Sequence, residues 1–423
     1  MTTGRGAVDT RLSEGEVRRI VEDGIPARVV EGKRVLVLTP DATRTCPLPL
    51  MARTVARVVG PRAKQLDFMV ALGSHPVMDD RKIDALFGLR EGDREGTFAG
   101  TRFLCHRWDI PGAMRKLGTI TESEIESYTG GLFREPVDVV INRAVDDYDL
   151  LLVLGPVFPH EVVGFSGGNK YLFPGISGGE FLHFFHWLGA VITCMDTIGY
   201  THTPPRALVD RAATMVATPR WCLAMVVAPD GGLAGLFAGT PEEAWSDAAD
   251  LSARLHVVYK DRSYATVLGC APEMYDELWV AGKVMYKLEP IVAPGGTLII
   301  HAPHLREISR TWGKYILEIG YHVRDWFLPR MEQFRGIPRG VLAHSTHVRG
   351  VGTVENGIEK PRIEVVLASA IPEETCRMIN LGWMDPRSID VSDYRGREDQ
   401  GILVVDHAGE VLHRLSSDGR GRA

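Results

Sequence analysis

Apolar residues along this chain fall in short unbroken runs that end in polar loops. Val35-Leu36-Val37-Leu38 runs out into the polar stretch Thr39 to Arg44. Phe68 to Leu72 leads through Gly73 into Ser74-His75, and Leu150 to Leu154 leads through Gly155-Pro156 towards His160. Such runs, lacking period-two alternation, predict strands buried on both faces of a parallel sheet; pattern alone does not separate them from a buried helix segment. Residues 48–59 predict a helix between the first two. Ligands of open α/β sheets bind at the carboxyl ends of the strands, so three polar loops in equivalent places predict one shared site.

The rhythm restarts near Tyr264. Strands are expected at 265–269, 295–300, 339–344 and 363–368, and helices at 275–289, 305–330 and 373–380. Residues 401–405 and 409–413 predict a terminal hairpin, and 416–423 a frayed tail. The fold class expected is α/β, with two domains built on mainly parallel sheets and the active site in the cleft between them. Boundaries follow at 1–262 for an N-terminal cofactor-binding and catalytic domain, 263–398 for a smaller α/β domain, and 399–423 for the hairpin and tail.

Length and composition change this picture little. A chain of 423 residues, 45% hydrophobic and 24% charged, suits two globular domains with sizeable cores. A net charge of −6 gives no general attraction to nucleic acid or anionic lipid. Six cysteines (46, 105, 194, 222, 270, 376) include no CxxC pair, which argues against a structural zinc site or a disulfide framework and fits a reducing compartment. With no leader-like N-terminus and no uncharged run of membrane-crossing length, a cytoplasmic location is expected.

The candidate chemistry lies in the loops. In Asp41-Ala42-Thr43-Arg44 an Arg after a buried strand suits bidentate capture of a carboxylate; the bland reading is an Asx turn with a solvated Arg. His75 and His160, at two strand ends, suit an acid/base pair because imidazole titrates near neutral pH; single loop histidines are more often surface residues. Gly164-Phe165-Ser166-Gly167-Gly168-Asn169-Lys170 looks like a phosphate loop but lacks the GxxxxGK[ST] spacing. Its unusual part is a Lys between two glycine-rich turns, which suits a phosphate or a covalent attachment. His183 and His186 share a helix face among aromatic residues, either as packing groups or as metal ligands. A zinc site would need three or four protein ligands, and no third lies nearby. Lys283 sits on the exposed face of a helix in the second domain, and His344-Ser345-Thr346-His347 reads as a polar loop after a strand.

Taken together, Asp41-x-Thr43-Arg44, Gly73-x-His75, His160, Gly164-Phe-Ser-Gly-Gly-x-Lys170, His186 and Lys283 resemble the nickel-dependent lactate racemase family, in order and over most of the chain. The resemblance implies a nickel pincer nucleotide, a nicotinate-derived mononucleotide with thioamide and thiocarboxylate groups, covalently attached to Lys170. It implies His186 as the protein ligand to nickel, in a square-planar site completed by two sulfurs and a ring carbon. Gly164, Ser166, Gly167 and Gly168 would lie along the mononucleotide. His75 and His160 match the acid/base pair, one for each enantiomer. Arg44 and Lys283 match groups that hold the substrate, with Asp41, Thr43 and Trp279 beside them; His183 has no match. The implied activity is racemisation or epimerisation at C2 of a 2-hydroxy acid by proton-coupled hydride transfer.

Two departures bear on the substrate. Trp279-Val280 stands where lactate-specific members carry Tyr-Gln, and Pro76 where an Arg is common. The expectation is therefore a 2-hydroxy acid other than lactate, with sugar acids, malate-like diacids and aryl hydroxy acids all open. Expected partners are that small-molecule substrate and the cofactor-synthesis enzymes, with no nucleic acid and no membrane, and an oligomer left open. Two rival readings stand beside this one: a zinc-dependent hydrolase, and a cofactor-free binding protein or inactive relative.

Overall fold

The structure, a computed structural model, describes residues 2–418 apart from Ser74 and Pro111. Of the expected Ser74-His75 loop only His75 is therefore described, and 419–423 of the expected tail lie outside the described residues. The chain divides into two compact units: Met1–Phe158, Phe165–Leu182 and Arg206–Leu255 in the first, and Pro159–Gly164, His183–Pro205 and His256–Ala423 in the second. Both are α/β, and the larger sheets are mainly parallel.

The first unit is built on a seven-stranded sheet in the order Thr3–Gly6, Leu233–Gly239, Arg220–Val227, Leu150–Pro156, Arg34–Thr39, Gln65–Val70, Phe103–Cys105. The five strands from Arg220–Val227 onward are parallel, and at one edge Leu233–Gly239 pairs antiparallel with both Arg220–Val227 and Thr3–Gly6. Val35 to Leu38 and Leu151 to Leu154 are wholly buried, as expected of strands covered on both faces. The chain leaves Arg34–Thr39 to one side, through Gln65–Val70, and returns on the other side with Leu150–Pro156. The end of Arg34–Thr39 is therefore the topological switch point, where α/β sheets open a crevice. The helix Leu48–Val59 packs its apolar face into the core of this sheet.

The second unit carries a five-stranded, wholly parallel sheet in the order Gly382–Met384, Glu364–Ser369, Val292–Ala302, Tyr264–Cys270, Ile402–Val405. Three sequence expectations fail here. Residues 339–344 are not a strand: Pro338 stands at the N-cap of a helix, Arg339–Arg349, buried along almost its whole length. A short apolar run fits a buried helix as well as a buried strand, and here burial on all sides hid the helical period. The continuous helix expected over 305–330 is broken into Gly313–Ile319 and Arg324–Phe327, because Gly320 at φ 70° ends the first piece. The terminal hairpin does not form either. Ile402–Val405 pairs parallel to Tyr264–Cys270, and Leu412–Leu415 pairs parallel to Val257–Lys260 in a separate ribbon. Pairing with distant strands is invisible to local turn signals. Among the described residues no helix is long and apolar enough to cross a membrane, and all six cysteines are free thiols.

Candidate functional site

In the first unit the loops after two neighbouring strands are joined by a buried carboxylate. Asp41, two residues beyond Arg34–Thr39, accepts hydrogen bonds at Oδ1 from the Thr43 hydroxyl (2.7 Å) and the Thr43 amide (3.1 Å). Its Oδ2 accepts from His75 Nδ1, in the loop after Gln65–Val70. Burial alone would raise the Asp41 carboxyl. The His75 imidazole and the Thr43 donors outweigh it and hold the group far below the usual carboxylate range, so Asp41 is an anion. A carboxylate at Nδ1 fixes the tautomer: Nδ1 carries the proton, and Nε2 presents a lone pair. Both oxygens of Asp41, a residue expected among the substrate groups, accept hydrogen bonds from the protein, and Oδ2 holds the His75 ring in its orientation. Arg44 follows in the same loop, half-buried.

A second segment of this unit closes on those loops. Gly73 donates its N–H to the Gly175 carbonyl at 3.0 Å, which ties the His75 loop to the turn after Lys170. Lys170 lies in a 3₁₀ turn, Gly168–Tyr171, with a partly exposed side chain. Next to it Tyr171 is buried, its phenol raised well above the usual value by burial, with Cys46, Arg44 and Asp41 as its charged or titratable neighbours. Tyr171, beside Lys170, thus lies within electrostatic reach of the Asp41–Arg44 loop. The one trace of this Tyr along the chain is Gly155, where a Cβ would collide with the Tyr171 hydroxyl.

The glycines before Lys170 serve packing and backbone shape. Gly167 (φ 87°) and Gly168 (φ 59°) take left-handed conformations, and a Cβ on Gly168 would press on the Trp245 side chain at 3.0 Å. Trp245 donates its indole N–H to the Ser166 carbonyl at 2.8 Å, and the Arg206 guanidinium lies 4.0 Å above the Trp245 ring. The buried Ser166 hydroxyl accepts from the Phe158 amide at 3.0 Å. Asn169 donates to Asp210 at 3.0 Å and to Glu242 at 2.7 Å. Lys170 is held on a stiff, internally bonded turn.

The remaining predicted residues belong to the second unit. His160 is buried; its Nδ1 accepts from the Val162 amide and lies 3.2 Å from Glu161 Oε2. Gly164 (φ 85°) accepts from the Gly199 amide at 3.0 Å, and a Cβ there would meet the Tyr200 carbonyl at 1.8 Å. His186, on the helix Gly179–Ile192, is partly exposed with the Phe185 ring edge-on at 5.2 Å. His183 is committed to packing: Nδ1 accepts from the Gly340 amide at 3.3 Å, and burial pushes its pKa down to about 4. On the helix Leu278–Leu288, Trp279 and Lys283 are one turn apart, both partly exposed, and Lys283 Nζ sits 4.9 Å from the centre of the Tyr275 ring.

The polar loop expected at His344–His347 is part of the buried helix Arg339–Arg349. His344 Nε2 donates to the Trp279 carbonyl at 3.0 Å, and the two rings stack at 3.8 Å. Burial, with help from His347 and His186, pushes His344 down to about 3 against the raising effect of that hydrogen bond and of Glu161. His160 with Glu161, His186, and the His344–Trp279 pair therefore share one neighbourhood of this unit. Among the described residues no three His, Cys, Asp or Glu side chains are grouped to hold a metal ion.

Comparison with known proteins gives a consistent family. Residues 17–195 match the model of the lactate racemase N-terminal domain. Over 182 residues the chain is 27% identical to the lactate racemase of Thermoanaerobacterium thermosaccharolyticum. That stretch is 41% of this chain and spans 38% of that relative's length. A crystal structure of a protein from Thermotoga maritima superposes with a TM-score of 0.88 at 30% identity, covering 97% of this chain and 100% of the other. The lactate racemase apoprotein from Thermoanaerobacterium thermosaccharolyticum superposes with a TM-score of 0.73 over 97% of this chain and 95% of that one; at 16% identity it speaks to the fold alone.

Proposed function

Because the chain belongs to the lactate racemase-like family, we propose that it is a racemase or epimerase inverting the C2 hydroxyl carbon of a 2-hydroxy acid, with a nickel pincer nucleotide carried on Lys170. The observation that carries this reading is the meeting of the Asp41–His75 pair, Arg44 and the Lys170 turn within one unit. The residues fit such a group. Lys170 is a partly exposed residue on a stiff turn, and His186 a partly exposed residue on the helix Gly179–Ile192. With no trio of protein donors among the described residues, a metal on His186 suits a group that brings its own donors, and the zinc-hydrolase reading lacks its ligand set.

When bound, the cofactor supplies a hydride acceptor and donor for the hydroxyl-bearing carbon. The protein's own residues do the rest. Arg44 holds the substrate carboxylate through parallel N–H···O bonds, and Lys283 adds a cation near the hydroxyl. His75, its Nδ1–H anchored on Asp41, takes the hydroxyl proton at Nε2 for one enantiomer. His160 acts for the other, and each returns the proton in the reverse sense. The hydrogen bond to Asp41 holds the His75 ring in place while Nε2 meets the substrate hydroxyl.

The test is intact-mass spectrometry with nickel analysis on protein co-expressed with cofactor-synthesis enzymes. The wild type is expected to gain a covalent mass on Lys170 with close to one nickel, and Lys170→Ala to gain neither. An unmodified, nickel-free wild type would overturn the reading.

A further inference from the structure

The second unit contains an aromatic shelf beside Lys283 that none of the proposed chemical steps uses. Trp279 and Lys283 are four residues apart on the helix Leu278–Leu288 and so project from one face. One face of the Trp279 ring is covered by His344, with centroids 3.8 Å apart and planes inclined by 7°. Trp312 follows at 6.2 Å and 34°, and Tyr315 lies a further 6.2 Å along at 32°. The His183 ring stands nearly perpendicular to Trp312, at 5.7 Å. Trp279, Trp312, Tyr315 and His183 are all partly exposed, whereas His344 beneath them is buried.

The shelf is rigid before anything binds. The amides of Leu278 and Trp279 donate to the carbonyls of Glu307 (3.0 Å) and Ile308 (2.9 Å). Glu277, buried at the start of the helix, accepts from the Arg310 amide at 2.8 Å and from the Ser309 hydroxyl at 3.3 Å. That hydroxyl accepts in turn from the Trp312 amide at 3.2 Å. The segment bearing Trp312 is thereby pinned to the helix bearing Trp279 and Lys283. Fixed rings lose little entropy on stacking against a ligand.

We propose that this shelf selects 2-hydroxy acids whose side group is an aromatic ring. The inference rests on the hydroxy-acid reading above and narrows its substrate. A methyl group, as in lactate, would cover a small part of the shelf. A polyhydroxylated chain would need a hydrogen-bond partner for each hydroxyl, and two of the shelf's polar atoms, Trp312 Nε1 and His344 Nδ1, are buried. An aryl ring stacks on indole, while the carboxylate and hydroxyl of the same molecule suit the cation one helical turn away.

The experiment is a tryptophan-fluorescence titration of the full chain, with and without cofactor, using phenyl-lactate, mandelate, lactate and gluconate. Phenyl-lactate or mandelate is expected to bind at least about tenfold more tightly than lactate or gluconate. Trp312→Ala should weaken the aryl acid about tenfold and leave lactate unchanged, while Trp312→Phe restores most of the difference. Tyr315→Ala, at the outer end of the shelf, should show a smaller loss of the same kind and guards against a folding defect in the Trp312 variants. Equal affinities for the four acids, or an equal loss for all of them in Trp312→Ala, would overturn the proposal. Its failure is separable from that of the racemase reading. Selective aryl-acid binding by a chain whose Lys170 carries no adduct keeps the shelf and sinks the racemase; a loaded, nickel-bearing enzyme without aryl preference does the reverse.

Discussion

At the scale of single residues, the Asp41–His75 pair is the feature with most consequence. Asp41 is anionic and buried, and its charge and acceptor geometry determine which nitrogen of His75 faces outward. Asp41→Asn keeps the shape but removes the charge and allows the wrong tautomer. Turnover should fall roughly 10²- to 10⁴-fold in the direction served by His75, with Lys170 loading unchanged. Separate assays of the two enantiomers, with intact mass as the control, check this; an unchanged rate would remove Asp41 from the mechanism. The residue types of this pair were visible in the sequence, but the bond between them was not, because 34 positions separate them.

At the scale of elements, glycine placement reports what leans against each strand and turn. Gly155 leaves room for the Tyr171 ring on the strand Leu150–Pro156. Gly155→Ala should cost about 1–3 kcal/mol by overpacking and push aside the turn that carries Lys170. A urea midpoint with cofactor occupancy measures both effects. Gly164 is more constrained, since its positive φ and the Tyr200 carbonyl both exclude a side chain. Gly164→Ala is expected to lose more than about 3 kcal/mol, by the same denaturation measurement. The run at 339–344 shows the opposite case, in which sequence misled. Gly-Val-Leu-Ala has the composition of a strand, but its surroundings bury a helix there and pack Gly340 against His183.

For the whole molecule, the buried titratable groups set the pH range of stability. Burial lowers His106, His183, His347 and His413 to about 4 and His344 to about 3. The unfolded chain therefore binds more protons than the folded one below about pH 6.5, and stability is lost as the pH falls through that window towards about 4. Glu289 has the opposite sign. Burial raises its carboxyl to about 7, against the lowering effect of the Val351 amide and Arg362, so the folded state holds the extra proton between about 4.5 and 7. Its contribution is lost as the pH rises through that range. Glu289→Gln should therefore gain stability over the wild type from pH 5 to pH 8, by up to about 3 kcal/mol. Thermal unfolding across that pH series reads the difference, and a constant offset would contradict the assignment.

The sequence by itself determined the α/β class, the buried strands around 35–38, 68–72, 150–154, 265–269, 295–300 and 363–368, and the polar loops that hold Asp41 to Arg44 and His75, while the buried strand Arg220–Val227 left no signal that was read. These follow from local patterning, since an apolar run between polar turns has few other ways to be buried. It also carried the residues that resemble one enzyme family, because their types and spacing lie along the chain. Tertiary structure alone decided that Asp41 orients His75, that Gly73 ties the His75 loop to the turn after Lys170, and that His344 lies under Trp279 in a helix rather than on a loop. It alone decided that the terminal strands pair with distant partners instead of each other. Each of these depends on which surfaces meet when the core closes, and that energy belongs to contacts between segments far apart in the chain.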